Sequence, residues 1–154
     1  MRINRLRRGF SLIELLIVIA IILILASIAT VQVNKQLMSA HETAAIKTIN
    51  TLHQAELGYN SQFGRFAQNI LELGPPASGA DGPAAAGLIP KKLAEGKSSG
   101  YVYTITGTPT GYSIVAVPEA FGRTGGKTFF SDESMITRVN YTAEPATVAS
   151  PEMK

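Results

Sequence analysis

Cysteine is absent from all 154 residues, and so is tryptophan. Without thiols the chain has no disulfide framework, no thiolate nucleophile and no cysteine-ligated metal. Histidine is scarce: His41 and His53 are the only two. They lie twelve positions apart and lack the i, i+4 spacing of a helical metal pair, so packed or solvated side chains are expected. No Ser, His and acid set can be assembled for acyl transfer, and the chain does not read as an enzyme. Proline and glycine are missing from Phe10 through Leu57, and between Leu12 and Val31 the only charged residue is Glu14.

What is present is a basic head on a long apolar run, RLRRGFSLIELLIVIAIILILA from Arg5 to Ala26. The run exceeds the 7 to 15 residues usual in a secretory h-region, and the small residue of Gly9-Phe10 precedes it, where an ordinary signal peptide is cut after it. About 20 apolar residues span a bilayer, and Arg2, Arg5, Arg7 and Arg8 hold such a helix with its N-terminus in the cytoplasm. A plain anchor explains all of this except the acid. A carboxylate near the hydrocarbon core costs roughly 2.5 to 3.5 kcal/mol on translocon scales, which marks Glu14 as a functional residue in want of a partner.

The segment Arg8-Gly9-Phe10-Ser11-Leu12-Ile13-Glu14-Leu15-Leu16 resembles the class III signal of type IV pilins and of the pseudopilins of type II secretion systems. The resemblance implies that a prepilin peptidase cuts between Gly9 and Phe10 on the cytoplasmic face and methylates the new Phe10 amine. It further implies that Glu14 pairs with the Phe10 amine of a neighbouring subunit during assembly. A buried pair of that kind fixes register even where it adds little net stability. The implied partners are the peptidase, copies of this chain and related pilins in a helical filament, the assembly platform of a pilus or secretion system, and the inner membrane before assembly. The implied location is the inner (cytoplasmic) membrane, single-pass with the C-terminal domain extracytoplasmic, and then a pilus or periplasmic pseudopilus.

The chain departs from that pattern in two ways. Many pilins carry a Gly within the apolar helix and a Pro near its end, and the equivalent positions here are Leu23 and Val31. A helix without these breakers is less ready to kink on packing. The C-terminal disulfide loop of many adhesive pilins is also absent. The formal charge of +3 is dominated by the leader: removing its four arginines leaves ten basic residues against eleven acidic ones, a net of −1. With no basic stripe, nucleic-acid binding is not expected.

Beyond the apolar run, Leu37, Met38, Ala45, Ile49, Leu52, Ala55, Tyr59 and Phe63 recur at helical steps. One helix of nearly fifty residues, roughly 70 Å at about 1.5 Å per residue, is predicted, with Gly58 and Gly64 as end signals. Residues 74–100 are rich in Gly, Pro, Ala and Ser and read as a long connection in which Leu88 to Leu93 forms a short helical turn. In a filament this connection falls where subunits meet. Tyr101–Thr106 and Tyr112–Val117 read as one hairpin across Thr108-Pro109-Thr110-Gly111, and Thr128–Ser131 with Met135–Val139 as a second.

The fold class is therefore α+β, pilin-like: a long N-terminal helix, half membrane or filament core and half amphipathic, packed on an antiparallel sheet of three or four strands. The organisation is a leader at 1–9, an apolar assembly helix at 10–33, a globular domain at 34–141 with its sheet at 101–141, and a loosely ordered tail at 142–154. Gly122 to Thr128 imitates a phosphate loop, but Phe121 stands where the first glycine is required and a strand pattern follows, so a turn is expected. No cofactor is expected. Asp132, Glu133 and Ser134 offer oxygen ligands for calcium, and major pseudopilins are similar in binding calcium in their β-region loops, but an exposed hairpin turn is the stronger reading. The functional expectation is a pilus or pseudopilus subunit. The competing one is a membrane-anchored extracytoplasmic binding module that does not polymerise.

Overall fold

The computed structural model describes residues 10–108 and 110–153, without the side chains of residues 28–31. The leader, including Gly9, lies outside the described residues, as do Pro109 and the side chain of Val31. Helix α1 runs Leu12–Phe63 without interruption. The chain divides into two compact units, one ending at Gln36 and the other beginning at Leu37.

In the first unit the apolar residues from Phe10 to Leu25 are exposed, between 46% and 83%. In the second, Ala45, Ile49, Leu52, Ala55 and Tyr59 are buried, which is the stripe that the spacing predicts, while Leu37 stays half exposed. The helix ends at Phe63 because Gly64 takes a left-handed φ of 69° and its N–H returns to the Asn60 carbonyl. Gly58 remains inside the helix, against Leu88.

Helix α2, Ile70–Leu73, was not foreseen. Asn69 caps it, its side-chain oxygen accepting from the Leu71 and Glu72 N–H groups. Helix α3, Lys91–Ala94, is the predicted turn displaced a few residues onward. The sheet has five antiparallel strands in chain order: β1 Lys97–Ser98, β2 Tyr101–Gly107, β3 Tyr112–Pro118, β4 Thr128–Asp132 and β5 Arg138–Asn140. The added strand is β1, folded back on β2 through Ser99 and Gly100, whose φ values of 50° and 75° are those of a type I′ turn.

Register places Tyr103 opposite Ala116, Ile105 opposite Ile114, and Phe129 between Ala116 and Val139. These residues form one core with the buried stripe of α1 and with Ile70, Leu73, Ile89 and Leu93.

Three expectations need correction. The connection 74–100 is partly core: its backbone bonds back to the end of α2, from Ala86 N–H to Glu72 O at 2.8 Å and from Leu88 and Ile89 N–H to Leu73 O, so Ile89 and Leu93 are buried. The last expected strand begins only at Arg138, because the turn at Glu133–Ser134, closed by the Met135 N–H on Asp132 O at 2.8 Å, leaves Met135 at a φ of 61° and Met135–Thr137 irregular. The segment 142–153 is docked, not loose. Val139 N–H donates to Pro151 O, Met153 N–H donates to Thr137 O, both at 2.9 Å, and Ala146 is buried. These bonds cover the outer edge of β5, where an uncovered strand edge invites pairing with another chain.

Candidate functional site

The sequence places the functional chemistry at the start of α1. Phe10 precedes the helix and is 83% exposed; Glu14 lies in its first turn. The Ser11 N–H donates to Glu14 Oε2 at 3.0 Å. Ser11-Leu12-Ile13-Glu14 is thus half of a capping box, in which an acid at the third helical position reaches back to the N-cap amide. Among the described residues this is the one hydrogen bond the Glu14 carboxyl makes, and the amide it satisfies would otherwise be one of the unpaired donors of the helix end. Glu14 therefore serves its own helix, a role the sequence reading overlooked although the Ser-x-x-Glu spacing was visible. α1 is the one described helix long and apolar enough to cross a bilayer.

A second polar cluster lies in the globular unit. His53 and Glu56 are buried on the inner face of α1, at 3% and 0% exposure. Ser131 Oγ–H donates to the Ile136 carbonyl at 3.1 Å, so it accepts from His53 Nε2–H at 2.8 Å. That fixes the tautomer, and His53 Nδ1 accepts the Tyr112 hydroxyl proton at 2.7 Å. Burial lowers the His53 pKa, with Asp132 partly opposing, and burial raises Tyr112 to about 12.

Glu56 Oε2 accepts the Ala67 N–H at 2.9 Å, while Oε1 has no partner among the described residues. Burial pushes this carboxyl up to about 7; the Ala67 amide opposes that, Glu72 adds to it and Arg65 opposes it. Glu72 is itself well engaged, accepting from Tyr59 Oη–H at 2.9 Å, from the Gln68 N–H and from Arg65 at 2.8 Å.

His41 is separate from this cluster, its Nδ1 donating to Thr124 O at 3.0 Å. Next to it, Glu42 receives the Gly126 N–H and pairs with Lys127 at 2.9 Å. The stretch Gly122–Lys127 is a turn closed by the Gly122 N–H on Gly125 O, leading into β4. At the other turn, Asp132 Oδ1 accepts both the Ser134 N–H at 3.0 Å and the Ser134 hydroxyl at 2.5 Å. Among the described residues no three His, Cys, Asp or Glu side chains converge as a metal set would.

The sequence reading missed Glu56, yet a signal existed. Ala45, Ile49, Leu52, Tyr59 and Phe63 step by four and three, and Glu56 occupies the place between Leu52 and Tyr59 that completes the series.

Residues 4–30 match the family of the prokaryotic N-terminal methylation motif. The chain therefore carries a type IV pilin-like prepilin signal, and the long helix with its antiparallel sheet is a pilin-like arrangement. The match covers the signal and most of the apolar segment, not the globular unit. No curated protein and no solved structure gives a significant match to the chain.

Proposed function

We propose that this chain is a structural subunit of a type IV pilus or of a type II secretion-like pseudopilus, held in the inner membrane until it polymerises through its N-terminal helix. Prepilin peptidase cuts between Gly9 and Phe10 and methylates Phe10. The observation that carries the reading is one coincidence. The methylation motif at 4–30 overlies an apolar surface that its own chain leaves exposed from Leu12 to Leu25, and that surface holds a single carboxylate. Such a surface needs lipid before assembly and equivalent helices after it.

Glu14 is the residue that would meet the Phe10 ammonium of a neighbour. The pilin-like signal supports a structural role over an enzymatic one. The test is the mass of the N-terminal peptide of the protein extracted from membranes. A chain starting at methylated Phe10 is expected. An intact Met1 start, in cells with an active prepilin peptidase, overturns the proposal and leaves a signal-anchored binding domain.

A further inference from the structure

Between the end of α1 and the sheet runs a short strap, residues 64–69. Its middle is tied on both sides: Ala67 N–H to Glu56 on the helix, and Gln68 O to the Gly107 N–H at the end of β2, at 3.2 Å. Phe66 lies against the Tyr112 ring with centroids 5.0 Å apart, and Ala67 is fully buried. The strap thus bonds directly to a carboxyl that is fully buried.

We propose that Glu56 is a proton-operated clasp: its neutral carboxyl keeps the strap closed, and ionisation shifts the segment toward an open form in which water reaches Oε1. The physical reason is the unpartnered oxygen. An ionised carboxylate needs donors on both oxygens, and here one amide supplies a single bond. The surroundings add little cation. Tyr59 faces the carboxyl from α1, Tyr112 from β3 and Glu72 from α2; Arg65 on the strap is already committed to Glu72. His53 is engaged by Tyr112 and Ser131.

The direction follows from linkage. The closed form holds its proton up to about pH 7, whereas an exposed carboxyl releases it near 4.5. Opening is therefore rarest below pH 4.5, rises with pH between these values, and levels off above 7.

Opening would expose pairing groups. Along β2, the Tyr103 N–H points outward to Gly96 O and the Gly107 N–H outward to Gln68 O. The alternation of the antiparallel ladder turns Ile105 the same way. Release of the strap frees Gly107 next to Ile105 and lengthens the open edge of the sheet at neutral pH.

The test is amide hydrogen exchange of the full chain in detergent micelles from pH 5 to 8, each rate divided by its intrinsic value. Opening at Ala67 and Gly107 is expected to increase at least tenfold from pH 5 to 7 and then flatten. Tyr103, bonded to Gly96 and not to the strap, should not follow. In Glu56→Gln the dependence should vanish. An equal rise at Tyr103, a flat wild-type profile, or an unchanged rise in Glu56→Gln overturns the proposal. Should Glu56→Gln fail to fold, carbon NMR titration of the wild-type Glu56 carboxyl decides: a midpoint near 7 supports the clasp and one below 5 overturns it.

Discussion

Replacing His53 by Leu tests whether the buried Tyr112–His53–Ser131 chain stabilises the fold as a unit. Leu fills much of the ring's volume, so the main loss is polar. The Tyr112 hydroxyl is left buried without an acceptor, at about 1 to 3 kcal/mol, while Ser131 keeps its bond to the Ile136 carbonyl. We expect the variant to lose about 2 to 3 kcal/mol. Tyr112→Phe leaves only the Nδ1 lone pair unpaired and should cost about 1 kcal/mol. The double variant removes both members of that bond, so its cost should fall short of the sum by about 1 to 2 kcal/mol.

The assay is urea unfolding of the full chain in micelles, followed by near-ultraviolet circular dichroism of the five tyrosines. Additivity within about 0.5 kcal/mol would refute the reasoning, since uncoupled sites add to that precision. Acid supplies an independent check. The folded His53 pKa is below its ordinary value, so the unfolded chain binds a proton that the fold refuses. This contribution to stability is complete above about pH 6.5 and declines as pH falls below it. Glu56 has the opposite slope between 4.5 and about 7, so the His53 part is read as wild type minus His53→Leu at each pH.

Three further variants have expected outcomes. Glu14→Gln retains an oxygen for the Ser11 N–H and should keep that amide protected from exchange, whereas Glu14→Ala should lose about 1 kcal/mol of helix-end stability; on the proposed function both abolish filaments in an electron-microscopy count. Gly107→Ala drives a Cβ into the Ala67 carbonyl oxygen and the Gln68 backbone, so the thermal midpoint should drop by several degrees, and an unchanged midpoint would mean that the strap yields freely. Ser99→Asn suits the left-handed φ of the β1–β2 turn better than serine and should raise stability by about 0.5 kcal/mol in the same urea assay.

The signal, the long helix and two hairpins were legible because each rests on local pattern. A continuous apolar run, a stripe at steps of three and four, and alternating β-branched residues around Thr108–Gly111 all act within one element. Strand β1 was not legible, because two residues, Lys97 and Ser98, carry no alternation, and their pairing depends on Ser99 accepting a positive φ. The docked segment 142–153 was missed for a related reason. Its small residues and prolines look unstructured, yet its bonds are backbone to backbone, a property composition does not encode. Glu56 is hard to read from the sequence because a carboxylate on an apolar stripe is discounted by default, whereas burial in the fold raises its pKa to about 7 and so favours the neutral form.

Glu14 and Glu56 are two answers to one physical difficulty, an acid in an apolar setting. Glu56 lies within the core of the globular unit, where burial raises its pKa to about 7 and the protein's own groups set the balance. Glu14 stands on a surface its own chain does not cover, with a single backbone amide as donor. One such bond contributes about 1 kcal/mol, less than the roughly 2.5 to 3.5 kcal/mol that a carboxylate costs near the hydrocarbon core. The remainder is a standing incentive to recruit a cation. On the proposed function that cation is the methylated amine created at Phe10 when the leader departs. On the same proposal, removal of four arginines and creation of one ammonium belong to one event: the cytoplasmic anchor would be lost as the assembly contact becomes available.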